Sequence, residues 1–201
     1  MGRALSDGRD FFLVAGLGLL AYAAYSTLAG GSTDSGTSGD NVTMSGNALD
    51  SETLNALATE GGQTFGIRPE LVLAVIMKES RGDPGAIGDG GLAIGLMQMH
   101  APAASDVGVS WNDLAGNPEL QVLAGSHYLR LQLDRFGDER TALIAYNQGA
   151  GVAGDPLGHA VAYAKGARYA DAVQAIEATL TITQNPASSP SSTILDPSGY
   201  L

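Results

Sequence analysis

A mainly α-helical domain is predicted between residues 48 and 183, behind an apolar N-terminal segment. Three observations predict it. Apolar residues recur at helical spacing in one stretch after another, and few segments alternate with period two. Asp, Asn or Pro opens most of these stretches, and Gly follows their ends.

Residues 11–29, FFLVAGLGLLAYAAYSTLA, carry no charge. As a helix they would span ~28 Å, close to the ~30 Å hydrocarbon core of a bilayer. Arg3 and Arg9 precede the run and Asp34 and Asp40 follow it, so residues 1–29 read as a cytoplasmic stub and transmembrane anchor. Tyr22 and Tyr25 suit the far interface. A cleaved signal peptide with Ala21-Tyr22-Ala23 at its cleavage site, or a buried core helix, are the other readings of the same length and flanks. Residues 30–47 are Gly, Ser, Thr and Asp without periodicity and read as a flexible tether. Residues 184–201 form a Ser/Pro-rich tail. Neither flank has the apolar surface to offset its ordering entropy.

Within the domain, Asp50 or Ser51 caps a helix through Leu54, Leu57 and Ala58, which Gly61 and Gly62 are expected to stop. Pro69 opens a helix containing Leu71, Val72, Val75, Ile76 and Met77. It is apolar on nearly every face, which places it at the centre of the domain, and it ends at Arg81-Gly82 just past Glu79. Residues 83–95 hold five glycines and two aspartates, the chemistry of a loop. Asn117, Pro118 and Glu119 supply a cap, a first-turn proline and an acid to a long amphipathic helix ending at Phe136-Gly137. Asp138 starts another, with Ala142, Leu143, Ala145 and Tyr146 inward and Gly149 at its end. Two further stretches, 157–165 and 167–179, complete the core.

The formal net charge of -11 excludes nucleic acid as a partner, since phosphate backbones are bound by clustered Lys and Arg. The chain has no cysteine, hence no disulfide and no thiolate metal site; His100 reads as a structural or solvent-facing residue, with a place in the cleft wall as its other reading, and His127 and His159 lack ligand spacing, so no metal is expected.

Glu79 is the candidate catalytic group. Cleavage of a glycosidic bond needs a carboxylic acid still protonated near neutrality, and apolar surroundings raise a carboxyl pKa. Glu79 follows Val75, Ile76 and Met77 at a helix C-terminus, where an acid opposes the helix dipole and so has little reason to stand for stability. An ordinary solvated acid is the alternative reading of its position.

Glu79-Ser80 with Pro84 and Ala86, then Gly95-Leu96-Met97-Gln98, then Ala145-Tyr146-Asn147 with Gly149 and Gly151, resemble the lysozyme-like catalytic domain of the lytic transglycosylases. That peptidoglycan-cleaving family is related in fold to goose-type lysozyme. Gly125-Ser126-His127-Tyr128-Leu129 and Tyr169 add to the resemblance, which covers Leu54 to Ile176. It implies a lysozyme-like helical domain in which Glu79 is the single acid/base and Ser80 holds the acid and the N-acetyl region of the substrate. Gln98 and the backbone around Met97 match the glycan-binding turn, Tyr146 and Asn147 face the acid, and Tyr169 lies near the scissile bond. The implied reaction breaks the bond between N-acetylmuramic acid and N-acetylglucosamine and closes the muramoyl C6 oxygen to a 1,6-anhydro product, with no metal or organic cofactor.

Two segments depart from the family pattern. Asp89 stands where a Ser is usual, with Leu92 in place of a Gly, and His100-Ala101 intervenes before Pro102. A carboxylate at Asp89 (or Asp83) about 6.5–9.5 Å from Glu79 would activate a water and make the enzyme a hydrolytic muramidase. A glycan-binding or structural module without catalysis is the reading from another class. The layout suits a membrane-anchored domain on the extracytoplasmic side, opening the wall within a secretion apparatus or an envelope assembly. It equally suits a bacteriophage virion protein delivered to the host envelope, an analogy from layout alone.

Overall fold

The structure, a computed structural model, describes residues 47–180. The predicted anchor at 11–29, the tether at 30–47 except its last residue, and the tail at 184–201 lie outside the described residues. No helix among the described residues is long and apolar enough to cross a membrane.

Helix α1 (Ser51–Phe65) begins at Asp50, whose carboxylate accepts from Thr53 N at 2.8 Å, and ends at Gly66 in the left-handed region (φ 64°). It runs past Gly61 and Gly62, which were expected to stop it. A Cβ at Gly61 would meet Ser126 Oγ at 2.5 Å, and one at Gly62 would meet the Ile67 carbonyl at 2.7 Å. Both glycines are points of close approach, so the helix pays their propensity cost of about 1 kcal/mol each to bring its neighbours in. Helix α2 (Pro69–Glu79) is buried continuously from Leu71 to Ile76 and packs against α1 and the last helix, as its all-round apolarity predicts.

The glycine-rich segment after α2 folds into a small antiparallel sheet instead of a plain loop. Strands β1 (Ile87–Gly88), β2 (Ala93–Ile94) and β3 (Met99–His100) lie in sequence order, with Gly88 opposite Ala93 and Ala93 opposite His100. The β1–β2 turn bends through Asp89 (φ 46°), Gly90 (φ 66°) and Gly91 (φ 101°). Two-residue strands carry no alternation to read, which is why residue patterning did not reveal them.

Helices α3 (Ala101–Asp106) and α4 (Pro118–Phe136) follow, α4 capped by Asn117 and closed by Gly137. Helix α5 (Glu139–Gln148) begins where Asp138 accepts from Thr141 N at 2.8 Å, and its C-cap Gly149 leads into the short α6 (Ala150–Gly154). Helix α7 (Ala160–Glu177) is one continuous helix where two were expected. Gly166 in its middle is another close approach: a Cβ there would meet Ile144 Cγ2 at 2.8 Å.

Two apolar clusters result. The larger joins α1, α2, α5 and α7 with Leu96 and Met97, and the smaller gathers Met99, Ala104, Leu114, Leu120 and Tyr128 around α3 and α4. Tyr146 packs against both, so the segment 96–99 and α5 form the seam of the molecule.

Candidate active site

At this seam opens a cleft of about 150 Å³ with Glu79 in its wall. Glu79 is the last residue of α2, and the apolar turn before it sinks its carboxyl into the domain. Tyr169, buried on α7, donates its O–H to Glu79 Oε1 at 2.6 Å. Burial pushes the Glu79 carboxyl up to about 6, and the charge of Asp89 pushes the same way, while the Tyr169 hydrogen bond and the charge of Lys78 pull it back. A carboxyl poised there holds a proton in part of the population near neutrality and accepts one in the rest. Burial, then the charge of Glu79, holds the Tyr169 hydroxyl well above the ordinary tyrosine range, so it stays a donor.

Gln98, with a left-handed backbone (φ 47°), lines the cleft. Its amide donates to the Gly95 carbonyl at 2.9 Å and the Ala86 carbonyl at 3.1 Å, tying the turn to the start of the sheet. A side chain at Gly88 would collide with the Gln98 amide oxygen, which explains a glycine in that strand. Tyr146 donates to the Met97 carbonyl at 2.8 Å, and Asn147 beside it accepts from the Gln148 amide at 2.6 Å. Both residues line the cleft.

Ser80 and Met97 sit differently. The Ser80 hydroxyl lies 2.9 Å from the Leu96 carbonyl and 3.2 Å from that of Ile76, and it accepts from Gly82 N at 3.2 Å. It is turned to backbone, clamping the end of α2 to the 96–99 segment. Met97 is wholly buried, its side chain against Gly125, and only its carbonyl reaches toward the site through Tyr146.

Asp89 lines the cleft, and its carboxylate is engaged: His100 Nε2 lies 2.9 Å from Asp89 Oδ2. The two departures noted in the sequence therefore meet each other across β1 to β3. Gln148, next to Asn147 in the same sequence cluster, also lines the cleft; Lys165, a further cleft residue, carried no signal in the sequence. Neither did Gln121, buried in α4, which organises the floor. Its Oε1 accepts from Leu96 N at 2.8 Å, and its Nε2 donates to the Leu114 and Pro84 carbonyls at 2.8 and 3.0 Å. A polar residue on the buried face of a helix was the available sign. No group of three or more His, Asp and Glu able to hold a metal occurs among the described residues.

Comparison with known proteins matches this architecture. The family model described as Transglycosylase SLT domain matches residues 56–169, more than half of the chain. A protein named transglycosylase from Enterobacteria phage PRD1 is 37% identical over 98 residues, covering 49% of this chain and 34% of that protein. Invasion protein IagB of Salmonella typhimurium is 35% identical over 91 residues, covering 42% of this chain and 57% of that protein. The match thus spans about a third to somewhat over half of these relatives. Among solved structures, the 70 kDa soluble lytic transglycosylase of Escherichia coli superposes with a TM-score of 0.54 at 26% identity, over 62% of this chain and 23% of that one. The lytic transglycosylase Slt of Pseudomonas aeruginosa shares the fold, with a TM-score of 0.52 at 20% identity, over 61% of this chain and 23% of that one.

Proposed function

Because the chain belongs to the transglycosylase SLT domain family, we propose that it is a peptidoglycan lytic transglycosylase with Glu79 as its general acid and base. The observation that carries this reading is a carboxyl raised to about 6 in a cleft whose other acid, Asp89, is held by His100. Protonated Glu79 gives its proton to the glycosidic oxygen between N-acetylmuramic acid and N-acetylglucosamine as the C1–O bond breaks. The resulting carboxylate takes the proton of the muramoyl C6 hydroxyl, whose oxygen bonds to C1. The 1,6-anhydro ring closes, the acid is regenerated, and no water or cofactor is consumed. Tyr169 holds the acid's orientation, while Tyr146 and Gln98 hold the backbone that carries the glycan and Asn147 faces it from α5.

Hydrolysis with Asp89 as base is the second reading, favoured by its place in the same cleft. Its bond to His100 speaks against a carboxylate free to activate water. Mass spectrometry of the fragments released from purified sacculi separates the two. Anhydro ends are expected from both wild type and Asp89→Asn; reducing ends from wild type, lost in Asp89→Asn, would establish hydrolysis instead.

Residues 11–29 are proposed to anchor the domain on the extracytoplasmic side, within reach of the wall. Relatives named for a phage and for invasion support a role in local wall opening by a virion or a secretion apparatus. Alkaline carbonate should leave the full chain in the membrane fraction and release a chain lacking residues 1–29. Release of both would remove the anchor from the proposal.

A further inference from the structure

The charged groups around the cleft differ in what they already hold. Asp89 is taken by His100 at 2.9 Å, and Glu79 accepts from Tyr169 at 2.6 Å. Arg68, Arg130 and Arg140 elsewhere on the domain are each paired with an acid. Lys165 lines the cleft, exposed on α7, and makes no hydrogen bond or ion pair with any described residue. The lysine whose charge acts on Glu79 is Lys78. Among the described residues the charge of Lys165 therefore has no partner, inside a cleft of a chain whose net charge is -11.

Its position relative to the chemistry follows from the helix. Lys165 and Tyr169 stand four residues apart, so they share a face of α7 about 6 Å apart along the axis. A glycan with its scissile bond at Glu79 thus passes Lys165 one helical turn away. The close approach at Gly166, where a Cβ would also meet Gln148 Cγ at 3.0 Å, brings this turn of α7 against the Gln148 end of α5. A polymer of N-acetylglucosamine offers no anion to this lysine. A muramoyl residue does, through its lactyl arm, which ends in a carboxylate when bare and in a carboxylate-bearing peptide when substituted.

The geometry points to Lys165 as a specificity determinant that pairs with a carboxylate on the muramoyl arm, selecting peptidoglycan over uncharged amino-sugar polymers. This inference rests on the peptidoglycan reading above and names the part of the substrate that its cleft recognises. An ammonium–carboxylate contact away from the scissile bond acts on binding in the ground and transition states alike, so it is read in KM and not in kcat.

The test measures KM and kcat of the full chain, wild type, Lys165→Ala and Lys165→Arg, on soluble glycan fragments. The fragments carry stem peptides or have been stripped by an amidase, each before and after amidation of their carboxyl groups. On unmodified fragments, Lys165→Ala should raise KM about tenfold with kcat within about twofold, and Lys165→Arg should restore most of the loss. After amidation, wild type and Lys165→Ala should converge. A shift on peptide-bearing fragments alone assigns the carboxylate to the stem peptide, one on stripped fragments alone assigns it to the lactyl group, and one on both shows that the lysine pairs with whichever carboxylate ends the arm. An unchanged KM on all unmodified fragments overturns the inference, as does a shift that persists undiminished after amidation. Absence of lytic activity in the wild type would instead count against the proposed function.

Discussion

Glu79→Gln should fold normally and lose lytic activity by about a thousandfold or more, the scale of removing a positioned general acid. The variant keeps the volume of the side chain and a carbonyl oxygen for Tyr169 to donate to, so no packing change stands behind the loss. Zymography and product analysis check it; clearing equal to that of an active wild type would exclude Glu79 as the acid, whereas no clearing by either protein would leave a glycan-binding module as the better reading. The same substitution should stabilise the protein at neutral pH. Burial pushes the folded carboxyl up to about 6 from the 4.5 of an exposed glutamate, so the folded state binds the proton more tightly than the unfolded one. That preference contributes fully below pH 4.5 and is lost as the pH rises through about 6. Above that point ionised Glu79 costs the fold about 1–2 kcal/mol, the upper figure applying if the cleft admits no water. Gln has no such cost. Thermal melts of the two proteins should therefore coincide near pH 4 and separate above pH 6, with the variant higher, by about 3–8 °C. Tyr169→Phe gives a companion readout. It removes the hydrogen bond that lowers the Glu79 pKa, so the alkaline limb of activity should move upward from about 6.

The largest loss of stability is expected from Gln121→Leu. A leucine fills the same space, yet it strips partners from Leu96 N and from the carbonyls of Leu114 and Pro84. Two of these three bonds are fully buried. An orphaned buried backbone group costs about 1–3 kcal/mol, and two at the middle of that range give about 4 kcal/mol. The midpoint of thermal unfolding should fall by about 10–15 °C. Activity at temperatures where the variant is still folded should also drop, because Leu96 and Met97 carry the backbone to which Ser80 and Tyr146 are tied. A variant within a degree of wild type would mean that water replaces the amide.

Much of the fold was legible from its punctuation. The starts of α1, α2, α4 and α5, and the ends of α4 and α5, lie where Asp50, Pro69, Asn117, Asp138, Gly137 and Gly149 indicated. Glycines caused the errors, at Gly61, Gly62 and Gly166, because the same residue that ends a helix also admits a neighbour at close range. Sequence alone does not say which of the two it does; that depends on what lies across from it. The candidate site was legible where its residues belong to a motif, as Glu79, Gln98, Tyr146, Asn147 and Tyr169 do. Asp89 and His100 were each noticed without their partnership, since a contact between residues eleven apart depends on how the glycine turn bends. Lys165 was missed for a plainer reason: on an exposed helix surface a lysine is commonplace, and only the cleft singles it out.

The contact between Tyr169 and Glu79 joins groups ninety residues apart in the chain. Glu79 lies in the second helix to leave the ribosome from this domain, and Tyr169 in the last. Until α7 has been synthesised and docked, the carboxyl lacks both its hydrogen-bond partner and much of the burial that raises its pKa. A chain truncated before α7 therefore lacks the tyrosine that this carboxyl accepts from. The order of residues along the polypeptide thus leaves the proposed acid without its tyrosine partner until the last described helix is in place.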